Sequence, residues 1–160
     1  MATKFYFDAT NAPAVTPPAP AAEWEHSGQE IVRKLNSPTG ASALTNTATT
    51  YDAADDHTNK DAIHGQFVSM PLAAQTIAAQ TITLQAQAGE GSASYNLFLT
   101  WKIYLIDSGG AAVAGGTILA IRRDGAEVTV TATARTNRGD SATSTEVTAS
   151  AGDRIVVEIG

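Results

Sequence analysis

The chain has 160 residues, carries sixteen acidic against ten basic side chains for a net charge of −6, and contains no cysteine. Scattered Lys and Arg on an acidic chain leave no basic footprint for a phosphate backbone, which argues against nucleic-acid binding; the lack of cysteine removes disulfides, thiolate metal sites and cysteine nucleophiles. Aromatics make up only 6%, and charged residues at 16% fall below the roughly 25% usual for a soluble domain, which implies a largely neutral surface.

The opening MATKFYF lacks the apolar stretch of a secretory signal, and no later run approaches the roughly 18 residues of a membrane span, so the expectation is a soluble protein with no membrane partner. Thr3 to Phe7 (TKFYF) reads as a short aromatic strand. Thr10 to Ala22 (TNAPAVTPPAPAA) follows, uncharged and holding four of the six prolines. Proline fixes φ and removes a donor, so this stretch is predicted to run as extended polyproline II, at roughly 3 Å per residue, and to reach outward as an arm. The chain therefore divides into an arm over 1–23 and a body over 24–160. Within the arm, Phe5, Tyr6 and Phe7 divide between a strand added to the sheet edge of a partner, the favoured reading, and one tucked under their own body. Pro17 and Pro18 stiffen it, and Trp24 anchors it to the body.

Trp24 to Leu35 admits a short helix capped by Ser27 with Glu30 three residues on, or a strand from Glu30 to Leu35; the reading favours a helical turn followed by extended chain. An edge strand is expected near Ala43 to Thr49, and a loop over Tyr51 to His64. That loop holds Asp52, Asp55, Asp56, His57, Asp61 and His64, residue types that suit a hard cation or acid–base work. Their spacing lacks the Gly and Glu positions of an EF-hand loop, and no HExxH is present, so a solvated loop is expected, with no metal and no cofactor.

Gln66 to Met70 reads as a strand. Thr81 to Ala88 alternates, with Ile82, Leu84, Ala86 and Ala88 on one face. Tyr95 to Ile106 is the longest β-like run, with Leu97, Leu99, Trp101, Ile103 and Leu105 sharing a face, and is expected near the centre of a sheet. Asp107 to Gly110 ends it in a turn. Thr117 to Arg122 begins another strand, which Asp124-Gly125 is expected to turn as a tight hairpin into Glu127 to Arg135. Asn137 to Ser141 is expected as a turn, Thr145 to Ala149 as a short strand, Gly152-Asp153 as a turn, and Arg154 to Ile159 as the last strand. Eight or nine short strands with turn punctuation point to an all-β fold, an antiparallel β-sandwich of jelly-roll type with an extended Pro-rich N-terminal arm. The closing apolar strand calls for cover, either from a neighbouring subunit over Ile155, Val157 and Ile159 or from further chain beyond Gly160.

Other motifs reduce to structure. Arg138-Gly139-Asp140 matches a tripeptide that integrins read, but a turn favours Gly and Asp in any case. Gly109-Gly110 and Gly115-Gly116 lack a following G-K-[ST] and read as turns. No serine stands in G-x-S-x-G and the three histidines offer no triad spacing, so no catalytic residue is assigned and the chain reads as a non-enzyme.

Three stretches, FYFDATNAPAVTPPAPAAEW at the start, QFVSMPLAAQTI at Gln66 to Ile77 and AGDRIVVEIG at Ala151 to Gly160, together resemble a group of small tailed-bacteriophage virion structural proteins. Members of that group run on past the last motif, so the C-terminus here looks shorter. The resemblance implies a structural role in the virion, foremost as a capsid decoration or cement protein on the outer capsid surface, made in the host cytoplasm. The implied partners are the major capsid protein and further copies of the chain, as a trimer or other small oligomer. A tail or fibre component that binds host glycan and a self-polymerising filament subunit are the alternatives.

Overall fold

The computed structural model describes residues 4–8, 10–20, 23–24, 31–36, 63–88, 98–128 and 136–160. These residues form β-strands and connecting turns, with no helix among them. Strands β1 (Tyr6–Phe7), β2 (Ile31–Asn36), β3 (Gly65–Ser69), β10 (Arg154–Ile159), β6 (Phe98–Ile106) and β7 (Ala112–Glu127) make one sheet in that spatial order. Two ribbons accompany it: β4 (Gln75–Ile77) pairs with β9 (Val147–Ala149), and β5 (Thr81–Ala88) with β8 (Thr136–Thr143).

The sheet is mixed, because β2 runs parallel to β3 while the other pairs are antiparallel. This corrects the expectation of a wholly antiparallel arrangement. The extended chain expected up to Leu35 is present as β2, while the helical turn expected before it, from Ser27 to Glu30, lies outside the described residues. Three β-branched or aliphatic residues in Ile31–Leu35 and a parallel partner buried at every position favour the strand there.

β6 and β10 occupy the interior of the sheet, and their alternation sorts two faces. On one face Trp101, Ile103 and Leu105 of β6, Val157 and Ile159 of β10 and Phe67 of β3 join Leu84 of β5 and Val147 and Ala149 of β9 in the main core. The ribbons thus share one core with the sheet. The closing strand needs no outside cover: β10 lies between β3 and β6, so Val157 and Ile159 are buried by their own chain and Ile155 packs against the same core. The expected alternation of β5 holds, with Leu84 buried and Thr81, Thr83, Gln85 and Gln87 exposed.

β7 departs most from expectation. Asp124-Gly125 makes no hairpin; the strand runs through it, sixteen residues of β7 facing nine of β6, with repeated shifts of register between Phe98 and Ile106. Each extra residue is a bulge that bends and twists the strand, and their sum curls this side of the sheet. The Asp124 carboxylate instead accepts from the Ala126 N–H within the strand. Gly115 and Gly116 also lie inside β7, Gly115 with φ +71°, so this pair is a bulge rather than a turn. The turn at Asp107 to Gly110 does form, closed by Gly110 N–H to the Asp107 carbonyl at 3.1 Å.

Candidate functional site

The second face of the sheet carries the candidate site. Register places Gln66, Glu158 and Lys102 in one row across β3, β10 and β6, and Val68, Val156 and Tyr104 in the next. Side chains two residues apart on a strand share a face, so these six project together. Val68, Val156, Tyr104 and Ile106 form a second, smaller core.

Glu158 is fully buried, an uncommon place for a carboxylate. It is kept there by donors on three separate parts of the chain: Trp24 Nε1–H at 2.6 Å, Gln66 Nε2–H at 2.8 Å and Tyr104 O–H at 2.9 Å. Hydrogen bonds replace the water a buried carboxylate loses. Burial, and then the neighbouring Glu158 charge, push the Tyr104 phenol well above its ordinary range, which holds it as a donor. The second N–H of Gln66 goes to the Pro18 carbonyl at 3.0 Å. At the rim Lys102 Nζ pairs with both oxygens of Glu23, at 3.0 and 3.1 Å, and holds the Glu23 carboxyl below its usual value.

The N-terminal segment is what covers this face. β1 pairs with β2, Tyr6 opposite Asn36 and Phe7 opposite Leu35, and the Phe7 ring sits 4.5 Å from that of Phe67. Asp8 then turns the chain: its Oδ1 accepts from the Thr10 and Asn11 N–H groups and its Oδ2 from Asn11 Nδ2, an Asx turn leading off the sheet edge. Val15 packs on the Val68–Tyr104–Ile106–Val156 cluster. The Thr16 carbonyl lies so close over Gly110 that a Cβ there would collide with it. Pro17 and Trp24 are buried and Pro18 is half-buried.

The expectation of an arm reaching away from the body is therefore corrected for the described residues, which lie on the chain's own sheet. The physical reason is the feature that suggested an arm: proline brings no N–H, so the segment crosses an apolar face without stranding donors. Of the residues singled out, Trp24 and Pro18 meet at the Glu158 cup. Phe5, Tyr6 and Phe7 lie toward the β2 edge on their own chain, Phe5 being 38% exposed. Gln66, Lys102, Tyr104 and Glu158 were not among the residues singled out from the sequence, and Gly110 was read only as a turn residue; an isolated Glu in the apolar strand Arg154–Ile159 is the signal that marks the cup.

The Arg138-Gly139-Asp140 motif is not a turn but part of β8, with Arg138 opposite Ala86 and Asp140 opposite Leu84. Asp140 is buried and accepts from Trp101 Nε1–H at 2.7 Å and from Arg122 at 2.6 and 2.9 Å. The Arg122 hydrogen bond lowers its carboxyl to about 2, burial opposing and the Trp101 bond assisting. A carboxylate so occupied presents no recognition loop. Of the Asp52 to His64 cluster, His64 alone is described; the other five residues lie outside the described part, as does the strand expected near Ala43 to Thr49. Among the described residues no group of three or more acidic or histidine side chains could hold a metal ion, and no helix is long and apolar enough to cross a membrane.

Comparison with known proteins finds no matching family model, no matching curated protein and no matching solved structure.

Proposed function

We propose that the chain is a non-enzymatic structural protein of a tailed-phage virion, a decoration or cement protein that binds the outer capsid surface beside further copies of itself, as a trimer or other small oligomer. In this reading the shared core between sheet and ribbons is that of a β-sandwich, and the protein works by contact rather than chemistry.

One observation carries the reading. The three stretches that resemble phage virion proteins, far apart in sequence, meet in one structural unit. Gln66 and Glu158 face each other across β3 and β10, and Trp24 and Pro18 close on them. Leu72 and the Gly152-Asp153 turn exchange backbone hydrogen bonds of 2.7 and 2.9 Å. Similarity gathered in one seated segment and the strands beneath it supports a common architectural role, and the neutral Thr, Gln and Ser face of β5 and β8 suits close contact with other protein surfaces.

The test is to mix purified protein with undecorated phage heads and image them by cryo-electron microscopy. Ordered density on the shell is the expected result. Bare heads, together with binding in a glycan screen or fibres formed by the protein alone, would move the assignment to a tail component or a filament.

A further inference from the structure

The seat on β3, β10 and β6 is largely built without the N-terminal segment. Gln66 and Tyr104 donate to Glu158 from within the sheet, so the buried carboxylate keeps two of its three donors if the segment leaves. The segment contributes a compact complement: the Trp24 indole N–H, the Pro18 carbonyl, the Val15 side chain, and Glu23 for Lys102. Prolines at 13, 17, 18 and 20 hold it extended whether docked or free, so little order is lost on moving it.

We infer that this seat also takes the N-terminal segment of a second copy of the chain, so that two copies exchange residues 4–24 and are joined by the contacts each otherwise makes alone. Exchange of an identical element is a low-cost route to association, because every bond broken is remade. What separates the two states is concentration. A segment tethered to its own body has an effective concentration on the order of mM, so the closed form prevails in dilute solution and exchange sets in where copies are crowded side by side. The inference deepens the assembly reading and rests on it for its biological setting; exchange itself needs only concentration, so the two fail separately.

The test uses unaltered protein. Equal amounts of unlabelled and heavy-nitrogen-labelled chain are mixed at about 10 µM, far below that effective value, and at about 1 mM, comparable with it, and brought to equilibrium. A water-soluble carbodiimide then joins Lys102 to Glu23 across their 3.0 Å ion pair, and mass spectrometry reads whether each joined pair is of one isotope or mixed. Same-isotope pairs in dilute solution giving way to mixed pairs at about a quarter of the total, half of the exchanged pairs, is the expected result. Mixed pairs at either concentration establish exchange; same-isotope pairs alone at both overturn it. Single-cysteine variants Val15→Cys and Val68→Cys, mixed in a chain with no native cysteine, give an independent reading, a disulfide between the two different chains supporting exchange and its absence opposing it. Binding to heads without mixed pairs would leave the shell assignment standing and remove the exchange.

Discussion

Glu158 ties together a strand at the end of the chain, two in the middle and a tryptophan near the start, so substitutions around it report on all of them. Trp24→Phe keeps an aromatic ring but removes the N–H and part of the buried indole; a hydrogen bond to a charged group alone contributes about 1.5–3 kcal/mol, and a loss of at least that size in urea unfolding is expected. Among the described residues, two others respond to acid. His64 is held neutral by burial, its pKa lowered, so the unfolded chain takes up a proton that the folded chain resists, and stability falls as pH drops below about 6.5. Asp140, lowered to about 2, stabilises fully above its unfolded value of about 4, and that contribution is lost as pH falls through about 2. Glu23 acts in the same direction but is half-exposed and contributes little. Unfolding free energy measured against pH should therefore decline in two stages, and Asp140→Asn should flatten the lower one while leaving the upper. A single-stage decline unchanged by Asp140→Asn would refute this account.

Strands with clean alternation or dense apolar content were legible: β3, β5, β6 and β10 stand where the sequence places them, because a period of two fixes which face is buried. The face of β6 that includes Leu105 is the core face, and Leu105→Ala should cost about 2–5 kcal/mol, against under about 0.5 kcal/mol for Thr83→Ala on the exposed face of β5. β7 was misread because Asp-Gly signals a hairpin only when nothing longer-ranged competes, and here the β6 ladder continues past it. The two cases predict opposite results for one substitution. A hairpin glycine needs positive φ and resists a Cβ, whereas Gly125 sits in a strand with open space around its Cα. Gly125→Ala should thus be neutral or stabilising by about 0.4–1 kcal/mol. Gly110→Ala should be destabilising by about 1–3 kcal/mol, since Gly110 holds φ +96° under the Thr16 carbonyl. Thermal unfolding of both variants decides the matter.

At the scale of the whole molecule, the N-terminal segment acts as the lid of a polar cup on one side of the sheet while the ribbons share the core on the other. Assembly on a shell would add contacts to this arrangement without dismantling it, and the head-binding experiment addresses that directly. Deleting residues 1–22 is a poor probe, because it removes the cover of a face whose Val68 and Val156 are buried; Phe5→Ser, at an exposed position of the segment, tests an edge contact with less disturbance to the fold. The sequence by itself determined the β class, the positions of β3, β5, β6 and β10 and the anchoring by Trp24, since backbone preference and side-chain alternation are local properties. The tertiary structure alone decided the parallel β2–β3 pair, the passage of β7 through Asp124-Gly125, the burial of Asp140 and the seat around Glu158. Each of those depends on which distant strand lies alongside, and a partner many residues away leaves no periodic mark on the segment it pairs with.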